Sequence, residues 1–111
     1  MMQIVKAATR YQLVLQLPAV SLADYDALIA WETLIEGALD ESADLDGHDI
    51  GAAEANIFVI TSEPETTFRR LLPALRRSGW PEDAMAAYRD IAGERYRVLW
   101  PEHPIRDFIV A

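Results

Sequence analysis

Cysteine is absent from this chain of 111 residues, and lysine occurs only once, at Lys6. The absence of cysteine excludes disulfides, thiolate nucleophiles and cysteine-ligated zinc or iron–sulfur sites. It also fits a reducing compartment, and we therefore expect a cytoplasmic protein. The longest apolar runs are far too short to cross a bilayer, and residues 1–10 show no convincing cleavage site of a signal peptide. We expect no membrane partner.

Basic side chains are scarce as well. The sequence has 10 lysine and arginine residues against 18 aspartate and glutamate residues, which gives a formal net charge of −8 at pH 7. Because phosphate binding needs clustered basic residues, this balance works against nucleic acid as a partner. The chain is 51% hydrophobic, enough for one ordinary core, so we expect a single domain over residues 1–111.

The first half of the chain carries strand and helix patterns in turn. Residues 11–17 place apolar side chains at every second position, which predicts a strand. Residues 22–39 repeat apolar side chains at helical spacing opposite acidic residues, which predicts an amphipathic helix. Residues 44–50 and 55–61 then predict a β-hairpin, the second strand being rich in β-branched residues.

Two glycines of this hairpin have structural explanations. Gly47 lies inside the predicted strand, where a glycine often marks a bulge. Gly51 lies in the turn, where we expect a positive φ. Neither belongs to a phosphate-binding loop, because the spacing lacks the required glycine pattern and does not open a helix.

The second half predicts two further helices and a strand. Pro64 in the first turn and the apolar residues up to Leu75 predict the second main helix, which Pro73 should kink or shorten. Residues 81–91 place Met, Tyr and Ile at helical spacing and predict a short helix. Residues 96–100 alternate again and predict the last strand.

The order strand, helix, strand, strand, helix, strand is the split βαβ arrangement of ferredoxin-like domains. We therefore predict an α+β fold with a four-stranded antiparallel sheet and two main helices on one face. The other face is bare unless something covers it. The apolar segments 3–5 and 105–111 are suited to this, and the latter suits an extra strand, paired with its own sheet or with that of a second copy.

The acidic strand of the hairpin is the first candidate site. In a regular strand Asp44, Asp46 and His48 share one side and Asp49 faces the other. Carboxylates with one imidazole suit a divalent metal, but a solvated outer strand accounts for the same residues, and no full metal-binding motif is present. We predict no metal and no cofactor, and keep these four residues as candidates for binding a ligand or partner.

Two further groups of polar residues are candidates. Glu54 and Asn56 flank the turn and are placed to hydrogen-bond the hairpin loop or a ligand. Four arginines lie on the side of the second main helix away from its leucines. They form either a patch for an anion or an acidic partner, or a solvated face paired with local acids. These are Arg69, Arg70, Arg76 and Arg77.

Segments 46–51, 54–58 and 63–68 read Asp-Gly-His-Asp-Ile-Gly, Glu-Ala-Asn-Ile-Phe and Glu-Pro-Glu-Thr-Thr-Phe. They resemble a family of small bacterial proteins that have a ferredoxin-like fold and no established function. The resemblance covers the middle third of the chain and the strand order of most of it. It implies the fold and a bacterial origin, and it brings no catalytic residues.

Three functions are compatible with these patterns. The first is a non-enzymatic protein-interaction module that uses the acidic hairpin or the open sheet face, with another protein or a second copy as partner; an inhibitor of a basic toxin is one version. The second is a small-molecule or metal-dependent enzyme of the dimeric α+β barrel type, with His48, Asp46, Asp49 and Glu54 as acid–base or ligand residues. The third, RNA binding on the sheet, lacks the required basic and aromatic strands.

Catalysis has little support in the sequence. It contains two histidines, His48 and His103, and neither a Ser-His-Asp arrangement nor a nucleophile motif is indicated. We therefore favour the interaction module.

Overall fold

The computed structural model describes residues 10–18, 22–51, 53–104 and 106–110. The apolar segment 3–5 lies outside them. The described residues form five strands and two helices, in the order β1 (Tyr11–Pro18), α1 (Leu22–Ala38), β2 (Ala43–Ile50), β3 (Glu54–Thr61), α2 (Pro64–Arg77), β4 (Met85–Asp90) and β5 (Arg97–Trp100).

All strand pairs are antiparallel, and the strand order across the sheet is β2-β3-β1-β4-β5. The prediction of an α+β fold is confirmed. The predicted sheet of four strands is wrong in number, because the described residues form five. The order of the first four strands of the chain, β2-β3-β1-β4, is compatible with a ferredoxin-like arrangement, and β5 extends the sheet beyond β4.

One continuous core lies between the helices and one face of the sheet, called here the helix face. β1 contributes Leu13, Leu15 and Leu17 because alternate side chains share a face. The amphipathic helices supply the other side, with Leu28 and Ile35 from α1 and with Phe68, Leu71 and Leu75 from α2. The predicted pattern of apolar residues in β1 and both main helices is therefore confirmed.

The predicted helix at 81–91 is wrong, because Met85–Asp90 is strand β4, which pairs with β1 and β5. Ala84, Met85, Ala86 and Ala87 are all buried. Alanine has a high helix propensity, but small side chains also fit a strand that is covered on both faces, and here the tertiary context decides.

The sequence predicts that Pro73 kinks or shortens helix α2. The helix passes through this exposed proline and ends at Arg77, so Pro73 does not shorten it. Ser78 caps the helix, and Gly79 follows with a positive φ of 87°, which allows the chain to turn. The Trp80 amide then donates to the carbonyl of Leu75 at 3.0 Å.

The second face of the sheet is partly covered by the C-terminal tail, defined as residues 106–110. The described tail residues do not form the predicted extra strand. Instead, Gln16 on β1 donates from Nε2 to the carbonyl of Ile109 at 2.9 Å, and the ring of Phe108 lies 4.9 Å from that of Tyr96. Val14 and Gln16, which point to this face, are fully buried.

Candidate functional site

Strand β2 is an outermost strand of the sheet, and a bulge divides it. Leu45 pairs with Val59, but the next registered pair is His48 with Ile57, so two residues of β2 stand where β3 has one. Gly47 has a φ of 97°, a backbone conformation that residues other than glycine rarely adopt. The bulge predicted at Gly47 is confirmed. Gly51, in contrast, is not among the glycines with positive φ, so that prediction is wrong.

The bulge moves His48 to the helix face. Its partner Ile57 is a core residue, whereas Asp44 pairs with Ile60 and Asp49 with Asn56, both on the second face. The prediction that Asp44, Asp46 and His48 share one side is therefore wrong, because it assumed a regular strand. Among the described residues, no group of three or more acidic or histidine side chains is arranged to hold a metal ion.

His48 instead connects β2 to helix α1. Its Nδ1 lies 2.8 Å from Oε1 of Glu32, and the side chains are 28% and 13% exposed. The ring of Tyr25 meets the imidazole edge to face, with centroids 6.0 Å apart. These contacts hold His48 against the helix, so it is a structural link between α1 and β2.

Apolar side chains lie exposed on both sides of this link. Tyr25 and Ile29 are 43% and 38% exposed, and they share a face of α1 with Glu32 because residues four and seven positions apart are neighbours on a helix. Ile50, two residues after His48, is 45% exposed. Asp44, Asp46 and Asp49 are exposed along the same strand, and Asp44 pairs with Arg10 at 3.5 Å. We call this edge the β2 rim, defined as Tyr25, Ile29, Asp44, Asp46, Asp49 and Ile50. Asp44 and Asp49 point to the second face of the sheet, whereas Ile50 and the α1 residues lie on the helix side.

Asn56 belongs to a different, buried group on the second face. Nε2 of Gln16 donates to Oδ1 of Asn56 at 3.0 Å, and both residues are at most 1% exposed. Oε1 of Gln16 accepts from Arg106 of the tail at 3.1 Å, and Arg106 also donates to the carbonyl of Asp83 at 2.8 Å. This network fixes the tail to the sheet and leaves Asn56 inaccessible to a partner.

Glu54 contributes to the hairpin turn through its backbone. Its carbonyl accepts a hydrogen bond from the amide of Gly51 at 2.7 Å. The structure therefore separates the predicted pair, because Glu54 closes the turn whereas Asn56 lies under the tail.

The four arginines of α2 are exposed, as the sequence predicts for a solvated face. Arg70 pairs with Asp40, which follows α1, and the guanidinium of Arg76 lies 5.0 Å from the ring centre of Trp100. Two of the four arginines, Arg70 and Arg76, thus contact neighbouring elements of the same chain. Arg69 and Arg77 are exposed at other positions on the helix.

A cleft of about 700 Å³ opens at the opposite end of the sheet from His48. It lies between the first turn of α2 and the loop from β4 to β5, with Tyr11 and Tyr88 among its lining residues. Four acidic and three basic residues line it, so its charge does not select a ligand of one sign. The candidate acid–base residues His48, Asp46, Asp49 and Glu54 do not line this cleft.

No family model, curated protein or solved structure matches this chain. The resemblance to small bacterial proteins therefore stays a prediction. Among the described helices, α1 and α2, neither is long and apolar enough to cross a membrane.

Several residues of the site lay outside the sequence predictions. Tyr25 and Ile29 fall outside the main apolar stripe of α1, and apolar residues outside such a stripe could have indicated an exposed patch. The contact of Glu32 with His48 depends on the bulge, for which Gly47 is the only local signal in the strand. Gln16 and Arg106 lie 90 residues apart, and no local pattern links them.

Proposed function

We propose that this protein is a non-enzymatic interaction module that binds a partner protein at the β2 rim. The observation that carries the proposal is that three exposed aspartates on an outermost strand and three exposed apolar side chains lie along the same edge of the sheet. The partner that fits this chemistry is an extended, basic segment with apolar residues between its basic ones.

An outermost strand offers backbone groups as well as side chains. Unpaired N–H and C=O groups at a sheet edge accept an added strand, and the side chains then set specificity. The aspartates oppose pairing with neutral or acidic strands, because unpaired buried charges are costly, so they favour a basic partner. The bulge at Gly47 restricts regular pairing to the two short stretches on either side of it.

The second face of the sheet is a weaker candidate for partner binding. The C-terminal tail lies over Gln16, and the polar groups of Gln16 and Asn56 are already paired. A partner would have to displace these contacts. We therefore place the interaction at the hairpin and not on the open face.

The alternative function, an enzyme, has less support because the candidate catalytic residues do not lie together. His48 pairs with Glu32, Asp44 and Asp49 lie on the other face, and Glu54 closes the hairpin turn. A tail over the sheet also occupies the place where a pocket of the dimeric α+β barrel type would lie. Partner binding agrees better with this arrangement.

We also infer that strands β1 to β4 and both helices are a ferredoxin-like unit with β5 added. The absence of cysteine supports a reducing compartment such as the cytoplasm.

A synthetic peptide that alternates arginine and valine, blocked at both ends, tests the proposal by calorimetric titration. We expect it to bind the wild type and to bind a variant with Asp44→Asn, Asp46→Asn and Asp49→Asn more weakly. Exposed ion pairs are worth about 0.2–1 kcal/mol each, so three of them correspond to roughly tenfold in affinity.

The matched control removes three exposed acids elsewhere, by Glu82→Gln, Glu102→Gln and Asp107→Asn. This control has the same net charge as the β2 variant and should retain wild-type affinity. Equal losses in both variants would mean that the peptide responds only to net charge, and the proposal would be abandoned.

A further inference from the structure

The sheet has two outermost strands, and their charges are opposite. In the described part of the chain, β2 pairs only with β3, and β5 pairs only with β4. Residues 43–50 carry three aspartates and no lysine or arginine. Residues 94–100 carry Arg95 and Arg97 against one acid, Glu94. One copy of the chain therefore presents both an acidic and a basic sheet edge.

The directions of the strands determine how two copies can meet. β2 and β5 both run parallel to β1, because each is separated from it by two antiparallel pairings. An antiparallel contact between β2 of one copy and β5 of another therefore requires that one copy is turned over. The helices of the two copies then lie on opposite sides of a joined sheet.

This arrangement brings the charged side chains together. Asp44 and Asp49 point to the second face of their sheet, opposite Ile60 and Asn56. Arg97 pairs with Tyr88, whose ring packs against the core, so Arg97 points to the helix face. When one copy is turned over, its second face continues the helix face of the other. The aspartates and Arg97 then lie on the same side of the joined sheet.

The cleft lies on this same side. Arg95 and Arg97 form part of its lining, next to the first turn of α2. The exposed Val98 on β5 and Ile50 on β2 add apolar area along the two edges. β5 has only four residues, β2 is interrupted by its bulge, and the net charge of −8 opposes association, so the contact should be weak and concentration-dependent.

We propose that the partner of the β2 rim is a second copy of this chain, which binds through its β5 edge and the arginines Arg95 and Arg97. This inference rests on the proposed function, because it names the partner of the same surface. Such a contact joins two different surfaces, so each copy keeps one edge of each kind. The assembly then grows as a chain of copies or closes into a ring.

Sedimentation velocity with charge-reversed variants tests the proposal. One variant carries Asp44→Arg and Asp49→Arg, and the other carries Arg95→Glu and Arg97→Glu. We expect the wild type to gain mass with concentration and each variant alone to stay monomeric, since its two edges then carry the same sign. An equimolar mixture of the two variants should associate again, because each supplies the edge that the other lacks.

A control variant with Arg69→Glu and Arg77→Glu on α2 changes the net charge as much as the β5 variant does, and should associate like the wild type. Circular dichroism of all variants verifies that they are folded. Self-pairing is overturned if the wild type stays monomeric, if the mixture fails to associate, or if the α2 control loses association as the β5 variant does.

The peptide titration separates the two proposals. If the wild type is monomeric but the arginine–valine peptide still binds the β2 rim, self-pairing is wrong and the interaction surface remains. If the peptide also fails to distinguish the β2 variant from its matched control, both proposals are wrong.

Discussion

Gly47 decides on which face of the sheet the residues after it in β2 lie. Its positive φ makes the bulge, and the bulge directs His48 toward Glu32 while Asp44 and Asp49 point to the other face. A side chain at Gly47 would meet no heavy atom within 4 Å, so backbone conformation and not space requires glycine.

Gly47→Ala should lower the free energy of unfolding by roughly 1–2 kcal/mol, the usual penalty for a left-handed conformation. Urea denaturation measures this change. Gly37→Ala is the matched control, because a side chain at Gly37 also meets no atom within 4 Å but Gly37 lies in helix α1. There alanine should be neutral or stabilise by up to about 1 kcal/mol. Equal effects at both positions would contradict a special role of the bulge.

Gln16 and Asn56 are two buried polar residues that hydrogen-bond to each other. Replacing either one by an apolar residue leaves the other without this partner. Gln16→Met should destabilise by about 1–3 kcal/mol, because Oδ1 of Asn56 and the guanidinium of Arg106 each lose a partner. Asn56→Leu should have a similar cost.

The double variant should cost less than the sum of the two single changes, since it leaves fewer unpaired buried groups. Gln12→Met serves as the control on the same strand, because Gln12 is only half-buried and its contact with Tyr96 is long at 3.5 Å. Purely additive losses in the double variant would show that the two amides do not depend on each other.

At the scale of elements, the connection from α1 to β2 is held by Asp40. The Ser42 hydroxyl and the Ser42 amide donate to its carboxylate, the amide at 2.8 Å, and Arg70 of α2 lies beside it. These hydrogen bonds, with a smaller contribution from the charge of Arg70, lower the pKa of Asp40, although slight desolvation opposes the shift. One carboxylate therefore joins the connection between α1 and β2 to helix α2.

Ser42→Ala should raise the pKa of Asp40 toward its ordinary value, as NMR titration of the carboxyl group would show. Because the pKa of Asp40 is lower in the folded than in the unfolded state, its contribution to stability is fully present above the unfolded value. It is lost as the pH falls through the folded value. The variant should therefore be less stable than the wild type at neutral pH and equally stable in strong acid. A difference that persists in strong acid would point to a cause other than Asp40.

The elements differ in how far the sequence could predict them. β1, α1, the hairpin and α2 have strong periodicity or clear turn residues, and the structure contains each of them within a few residues of the expected bounds. β4 was predicted as a helix because alanines and the spacing of Met85, Tyr88 and Ile91 favour one. β4 pairs with β1 and β5, and its side chains Met85, Ala86 and Ala87 are buried on both faces of the sheet, which a single sequence does not show.

The candidate site was predictable only in part. The acidic composition of the hairpin and a bulge at Gly47 were readable from local sequence. The side on which His48 lies was not, because one extra residue in a strand reverses the faces of the residues that follow. The covering of Gln16 by the tail depends on Arg106, which is far away in sequence.

For the whole molecule, charges of opposite sign lie at different edges of the sheet, so the proposed partner should recognise one edge and not net charge alone. The chain carries a formal charge of −8, yet its basic residues are concentrated on α2 and beside β5. Acidic side chains dominate β2. A partner that responds to this distribution should bind at one edge of the sheet, whereas one that responds to net charge should bind wherever acids are exposed.

Mapping the arginine–valine peptide onto the backbone amides by NMR is the measurement that tests the central claim most directly. We predict that the amides with the largest shifts lie in β2 (Ala43–Ile50) and around Tyr25 and Ile29 on α1, and that these shifts saturate together. Shifts spread evenly over exposed acids such as Glu82, Glu102 and Asp107, or centred away from β2, would contradict the claim that the β2 rim is the interaction surface.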